Sequence, residues 1–422
     1  MSWLSIVQPI PRTSRVVSWS VWLLAGIAAF FLIERWLDAL NQPLPVFPAY
    51  YTAAKMIQNG EPVALFYDDE WFRDRVMDFA PGRLEAYIAN TPFLAFFFLP
   101  LANLPYEVAR HITSVLTFAA LLISIHLMTI ELRVTGAWRA AAFLAVFVAP
   151  TTLSNISVAQ VYPIVLLNMV LAWRAWRRGA DGLAGAFIGL NLAFKTAGLF
   201  LPLMMVFERR WRALLAAMSV PIIFAVITFP VVRYDGWEAY IHRGQAMGSI
   251  GLAFPGLLTL PGLALNLFDY DARLNPDPYF DAPLLARAII AIGFVAFIAI
   301  SARLATVTKD RDVAFALAVM ASLILVPVTN INHTMLGFLP AFIIFDRLRD
   351  RMTSPLGLWF VIGGLLSFGP SVERIRQLVE WGGPIFFYPR LFGLVILVVV
   401  LTLLGFERTK SPSEPLTETH PA

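Results

Sequence analysis

The chain has no cysteine among its 422 residues, so disulfides, thiol nucleophiles and thiolate metal sites are excluded. Charge is also scarce: Asp, Glu, Lys and Arg make up 14%, where soluble domains carry about 25%. Histidine occurs five times, at His111, His126, His242, His333 and His420. No two of these have the i, i+4 spacing of a helical ligand pair, so no metal site is expected. A glycine-rich phosphate loop leading into a helix is missing, as is a basic nucleic-acid signature. No cofactor and no nucleic-acid partner are therefore expected.

What fills the chain is apolar: 59% of residues are hydrophobic and the mean hydropathy is +0.71. Such a composition belongs to a polytopic membrane protein, and one helical bundle is the default architecture. The apolar runs lie at 16–36, 106–130, 138–154, 161–176, 211–232, 284–304, 313–328, 334–345, 356–368 and 391–404. Between Asp181 and Glu208 a further run is interrupted by Asn191, Lys195 and Pro202. It reads as two short helices forming a hairpin with Lys195 at its tip. The first 15 residues show no cleavable signal, and the first run is long enough to span.

Lys and Arg mark one set of boundaries: Arg12 and Arg15, Arg133 and Arg139, Arg174 to Arg178, Arg209 to Arg212, Arg303 to Arg311, Arg347 to Arg351, Arg408 and Lys410. All can face the cytoplasm only if residues 91–104 do not cross. That segment is bracketed by Pro92, Pro100 and Pro105 and falls short of the about 20 residues a crossing needs. About twelve crossings follow, with both termini cytoplasmic and a plasma-membrane location. The domain is expected to span 1–409, with a polar, disordered tail over 410–422.

The opposite face receives a long first loop, 37–90, with eight acidic residues against four basic ones. Helix-like stretches at 50–58 and 69–78 make it a small folded cap, with Asp69 as an expected N-cap. The same face receives Gln160, the Lys195 tip and the stretch Thr329-Asn330-Ile331-Asn332-His333. Polar groups at a membrane boundary are costly unless they face water, protein or ligand. They could form one phosphate-facing pocket.

This layout resembles the GT-C class of membrane glycosyltransferases, and more closely the bacterial polyprenol-phosphate-mannose-dependent mannosyltransferases of the phosphatidylinositol-mannoside type. Five segments carry the resemblance: Val46-Phe47-Pro48-Ala49-Tyr50-Tyr51-Thr52-Ala53-Ala54, Asn90-Thr91-Pro92-Phe93 with Leu99-Pro100-Leu101-Ala102, Ala159-Gln160-Val161-Tyr162, Ala193-Phe194-Lys195, and Asn332-His333 with Leu339-Pro340-Ala341. The departures are specific. The family's presumed catalytic Asp is Val46 here, its Gly and Asn around Gln160 are Ala159 and Tyr162, and its Tyr-Pro-Pro is Asn-Thr-Pro.

The resemblance implies transfer of a hexose, mannose by expectation, from a polyprenol-phosphate donor to a lipid or glycan acceptor at the extracytoplasmic face. Such a transfer needs a base for the acceptor hydroxyl and donors for the leaving phosphate. His333 and Asp38 are the expected catalytic residues, Asp38 standing in for the carboxylate lost at Val46. Lys195, Gln160, Tyr50, Tyr51 and Asn332 are the expected substrate-binding residues. Each also has a plainer reading: helix-start hydrogen bonding for His333, snorkelling for Lys195, capping for Gln160 and an aromatic belt for the tyrosines. The alternative functions are a non-catalytic relative that lost its base, and a lipid or solute transporter. The single interrupted hairpin and the large outer loop favour the enzyme over the paired broken helices of transporters.

Overall fold

The computed structural model describes residues 15–42, 45–88, 90–250, 257–272, 275–307, 310–370 and 383–407. The tail from Lys410 lies outside them. Among the described residues the chain is nearly all helical, with one isolated bridge between Asp271 and Asn275 and no strand. In order the helices are α1 (Arg15–Leu40), α2 (Phe47–Gln58), α3 (Asp69–Met77), α4 (Pro92–Phe98), α5 (Tyr106–Glu131), α6 (Gly136–Val148), α7 (Pro150–Ser157), α8 (Tyr162–Arg177) and α9 (Asp181–Lys195). They continue as α10 (Leu201–Phe207), α11 (Trp211–Ile250), α12 (Leu260–Phe268), α13 (Pro283–Val307), α14 (Arg311–Ile324), α15 (Phe338–Leu348), α16 (Pro355–Phe368) and α17 (Pro389–Glu407).

Five helices are long and apolar enough to cross a membrane: α1, α5, α11, α13 and α17. The pair α6 and α7, bent by 54°, makes a sixth if it counts as one span. The map of about twelve crossings also counts segments that fold as shorter helices, among them α8, α9, α10, α14 and α15. Each has 16 residues or fewer against the about 20 that a straight crossing needs. Polar breaks at Gln160, Lys195 and Asn330–His333 do the shortening. Residues 91–104, expected not to cross, form the seven-residue α4 and a 3-10 turn, Leu99–Asn103.

The core centres on α8 and α14. Every residue from Asp312 to Ile324 is buried, as befits a helix apolar on all sides. Trp173 and Trp176 of α8 are fully enclosed. Helix α9 lies hard against α11 through a small-residue seam, Gly185-Ala186-Phe187-Ile188-Gly189. A Cβ on Gly185 would stand 2.1 Å from the Ala213 carbonyl oxygen, and one on Gly189 2.7 Å from that of Ala217. Only glycine lets the backbones approach so closely. That seam fixes the height of α9 in the bundle, and with it the position of Lys195 at the helix end.

One end of the bundle is tied by charge. Arg347 of α15 reaches Asp310 at 2.9 Å and Asp312 at 2.8 Å. Arg177 reaches Asp312 at 3.2 Å, and Trp173 Nε1 donates to the same carboxylate at 2.9 Å. Glu131 at the end of α5 pairs with Arg174 and Arg178 of α8. Buried charges persist only when so paired. These residues sit at the opposite end of α8 from Tyr162.

At the other end, residues 45–88, part of the 37–90 segment, fold as a cap around a small cluster of their own. Phe66, Phe72 and Tyr87 are fully buried and meet edge to face or tilted at 5.6–5.9 Å. Burial pushes the Tyr87 phenol above its ordinary value. Helix α3 is capped by Asp68, not by the expected Asp69, because the Asp68 carboxylate accepts from the amides of Glu70 and Trp71. Asp69 is instead bound by Arg243 at 2.7 and 2.8 Å. That contact is possible because α11 breaks at Arg233, whose φ is 56°. Its second half turns and lays Trp237 and Tyr240 on the cap core.

Candidate active site

The cap and the bundle meet at the C-terminal end of α9. Helix α9 ends there because Thr196 adopts φ 50°, a left-handed stop. Thr91 then closes the end from outside: its hydroxyl donates to the carbonyl oxygens of Ala193 at 2.6 Å and Phe194 at 3.2 Å. Its neighbour Asn90 takes the side chain, with Lys195 Nζ donating to Asn90 Oδ1 at 2.6 Å. Consecutive residues thus bind the carbonyls and the ammonium of one helix end.

Two aromatic rings complete the surroundings of the ammonium. Its nitrogen lies 5.2 Å from the Tyr50 ring centroid and 5.6 Å from that of Tyr162, within the range of cation–π attraction. Among the described residues no carboxylate pairs with Lys195. Tyr50 is fully buried, stacks on Phe98 at 5.1 Å and donates its hydroxyl to Gln160 Oε1 at 2.8 Å. The Gln160 carbonyl is thereby used, and its amide nitrogen has no hydrogen-bond partner among the described residues.

His333 packs against Tyr162, ring centroids 4.4 Å apart and tilted by 45°. Its Nδ1 lies 2.8 Å from Asn330 Oδ1, an acceptor, so the tautomer protonated at Nδ1 donates there and keeps the lone pair on Nε2. Nε2 is left without a hydrogen-bond partner among the described residues. The strand of chain that carries it is anchored to α7. Ser154 donates to Asn332 Oδ1 at 2.7 Å, Asn155 Nδ2 to the Asn332 carbonyl at 3.1 Å, and Thr151 to that of Ile331 at 2.7 Å. Asn332 therefore acts through the backbone that positions His333.

The structure thus brings together Lys195, Tyr50, Gln160 and His333, with Asn332 one step behind. It seats Tyr51 elsewhere. The Tyr51 hydroxyl donates to the Leu104 carbonyl at 2.7 Å, and its ring meets Phe79 and Tyr106 at the edge of the main core. Asp38 is exposed near the end of α1 and lines a separate cavity with Arg35 and Arg83. Two contributors lay inside the compared motifs without being singled out, Asn90 and Tyr162. The signal for Asn90 was its place immediately before the Thr91-Pro92 helix start.

Two of the positions compared above fall where the backbone is strained. Ala159 has φ 48°, a region that glycine enters without penalty. Val46 has φ 75° and ψ −53°, with the Phe47 amide bonded to the Pro45 carbonyl at 3.0 Å. This is the strained sense of γ-turn, rare for any side chain and more so for a β-branched one. Its apolar side chain packs against the main core.

Among known protein families, glycosyltransferase family 87 matches residues 87–328, more than half of the chain. The curated alpha-(1->3)-arabinofuranosyltransferase of Mycobacterium tuberculosis (strain ATCC 25618 / H37Rv) is 31% identical over 141 residues, 32% of this chain and 32% of the relative. Its namesake from Mycolicibacterium smegmatis is 29% identical over 138 residues, again 32% of each. The chain thus aligns with about a third of the length of these relatives. No solved structure matches.

Proposed function

We propose, from the premise that the chain belongs to glycosyltransferase family 87, that it transfers a sugar from a polyprenol-phosphate donor to a hydroxyl of a lipid or glycan acceptor. The reaction takes place at the outer face of the plasma membrane, with both termini and the charged end of the bundle in the cytoplasm. Shorter helices such as α8 and α9 then complete the crossings toward about twelve.

One observation carries this reading. The Lys195 ammonium is held between two tyrosine rings and the Asn90 amide, with no carboxylate partner among the described residues. A lysine in such surroundings calls for an anion. The phosphate of a lipid-linked sugar supplies one at the membrane surface. The Gln160 amide nitrogen is a second donor toward it, and Tyr50 and Tyr162 offer faces to the sugar ring.

In the step itself the acceptor oxygen attacks the anomeric carbon. The bond from that carbon to the phosphate oxygen breaks, and its electron pair leaves with the phosphate. Lys195 and Gln160 stabilise the departing charge. The acceptor proton passes to His333 Nε2, the free imidazole nitrogen beside the site. Asn330 and Asn332 hold that ring in place.

The resemblance favours a hexose, mannose by expectation. The names of the relatives favour a second reading, in which the sugar is arabinofuranose, a pentose. Purified protein incubated with polyprenyl-phosphate-mannose or polyprenyl-phosphate-arabinofuranose, with a membrane glycolipid extract as acceptor, separates the two by product mass. Transfer from either donor that survives Lys195→Met unchanged would remove the site assignment. Lipid flux without sugar turnover would favour a transporter, and neither transfer nor flux would favour a non-catalytic relative.

A further inference from the structure

Asn90 and Thr91 grip the end of α9, and helix α4 anchors this pair on one side only. Residues 83–87 ahead of them belong to no helix or strand, and Ile88 turns with φ 41°. What fixes the pair from that side is the cap core. Tyr67 donates its hydroxyl to the Asn90 carbonyl at 2.9 Å, and Tyr87 donates to the Thr91 carbonyl at 2.9 Å. The two rings meet edge to face at 5.8 Å. Burial pushes the Tyr67 phenol well above its ordinary value, with Tyr87 and Tyr240 adding to the effect, so the hydroxyl keeps its proton and stays a donor.

The second half of α11 braces Tyr67 in turn. Gly236, Tyr240 and Arg243 stand at i, i+4 and i+7, on one helix face. A Cβ on Gly236 would stand 3.2 Å from Val63 Cβ, at the start of the 3-10 turn Val63–Tyr67. The Tyr240 ring lies 5.8 Å from that of Tyr67, tilted by 50°. Arg243 holds both oxygens of Asp69, two residues beyond. The opposite face, with Asp235, Glu238, Ile241 and His242, is exposed. One helix face therefore meets the turn before, at and after Tyr67. From there the contacts run without a gap: Tyr240 to Tyr67, Tyr67 to the Asn90 carbonyl, and the Asn90 side chain to Lys195.

We propose that Tyr67 is a positioning residue for Lys195: its hydroxyl fixes Asn90, Asn90 fixes the ammonium, and the second half of α11 holds Tyr67 in place. The proposal deepens the transferase reading above and rests on it for the reaction that Lys195 serves. A contiguous path of this kind predicts energetic coupling between its ends, which is measurable.

The test reads Lys195 directly. The chain has four lysines, Lys55, Lys195, Lys309 and Lys410. Full-length protein in detergent, labelled with carbon-13 at lysine Cε, therefore gives a simple spectrum in which Lys195→Met identifies the Lys195 signal by its loss. Tyr67→Phe shifts that signal, and Asn90→Ala shifts it further. Tyr67→Phe added to Asn90→Ala moves it no more, because Tyr67 acts through Asn90. Arg243→Gln shifts it in the same direction as Tyr67→Phe. Tyr388→Phe, which loses a buried bond to the Gly262 carbonyl at 3.0 Å, leaves it in place. In transfer assays Tyr67→Phe lowers kcat/KM about two- to tenfold, the worth of one neutral hydrogen bond. An unmoved Lys195 signal in Tyr67→Phe, a double-variant shift equal to the sum of the single ones, or an equal shift in Tyr388→Phe overturns the proposal. A signal that Arg243→Gln leaves in place overturns the part played by α11. The full set of shifts in a protein that transfers no sugar keeps Tyr67 assigned to Lys195 and defeats only the transferase reading.

Discussion

Lys195 Nζ and Asn90 Oδ1 are 2.6 Å apart across 105 residues of chain. Their contact joins the residue before the α4 N-cap to the C-terminal end of α9. It places a cation where cap and bundle meet. Lys195→Met should therefore lower kcat/KM by about 10²–10³, the usual loss for a donor aimed at developing charge. Asn90→Ala should cost less, about tenfold, because the ammonium survives and loses only its orientation. Steady-state kinetics with a polyprenyl-phosphate sugar decide this. Equal losses in the two variants would mean that Asn90 itself contacts the donor.

His333 is separable from its support. Removing it should cost about 10²–10⁴ in kcat, the usual range for general acid–base catalysis, with the donor KM little changed. Ser154→Ala breaks the hydrogen bond to Asn332 but leaves the imidazole, and should cost about tenfold or less. A large rise in donor KM with unchanged kcat in His333→Gln would make the histidine a binding residue.

The glycine seam predicts a packing defect with a functional consequence. Gly189→Leu has no room beside the Ala217 carbonyl oxygen, and overpacking of this kind costs about 1–3 kcal/mol or more. Thermal melting in detergent should fall by several degrees. Activity should fall further than stability alone explains, because α9 carries Lys195. Gly182→Ala, with open space around its Cβ position, is the control that should melt at or above wild type.

Backbone strain is testable at Ala159 and Val46. A side chain in the left-handed region costs on the order of 1–2 kcal/mol, partly offset by the chain entropy that glycine loses on folding. Ala159→Gly should raise the melting temperature slightly, and Ala159→Val should lower it. Val46→Gly should behave like Ala159→Gly unless the lost core contact of the valine outweighs the relief. The difference between the two glycine variants measures that contact.

Stability should fall with rising pH through one carboxyl. Burial lifts Glu208, between α10 and α11, from its ordinary 4.5 to about 7, against the lowering effect of Arg210 and Arg311. A raised folded value means that its contribution is complete below about pH 4.5 and is lost as pH rises toward 7. Glu208→Gln should therefore match wild type near pH 4.5 and exceed it at pH 8. The gap can reach a few kcal/mol, at about 1.4 kcal/mol per unit. A gap that shrinks with pH would show that the Arg210 contact at 4.0 Å dominates.

Much of this was legible in the chain because the membrane enforces simple rules. Long apolar runs at 16–36, 106–130 and 284–304 became α1, α5 and α13, since backbone polar groups must be satisfied within the segment. The break between α9 and α10 was readable at Lys195, and the end of the 211–232 run falls beside the break at Arg233. The count of crossings was less legible, because apolar runs interrupted by Gln160 or Asn330 fold as helices too short to qualify by length alone. The N-cap at Asp68 was missed by one residue, since two adjacent aspartates compete and only the backbone angles choose between them.

By itself the sequence determined the solvent this protein lives in, its helical class and the polar interruptions that such a solvent makes expensive. It named Lys195, Gln160, Tyr50 and His333 as separate oddities on one face. Tertiary structure brought them side by side, because four chain segments converge on the end of α9 over separations no local pattern encodes. It also set Tyr51 in the main core and Asp38 in a cavity of its own, since neighbouring residues on a helix face different ways. The glycines at 185 and 189 have the same cause: their spacing is written in the chain, but only the crossing of α9 and α11 gives it meaning.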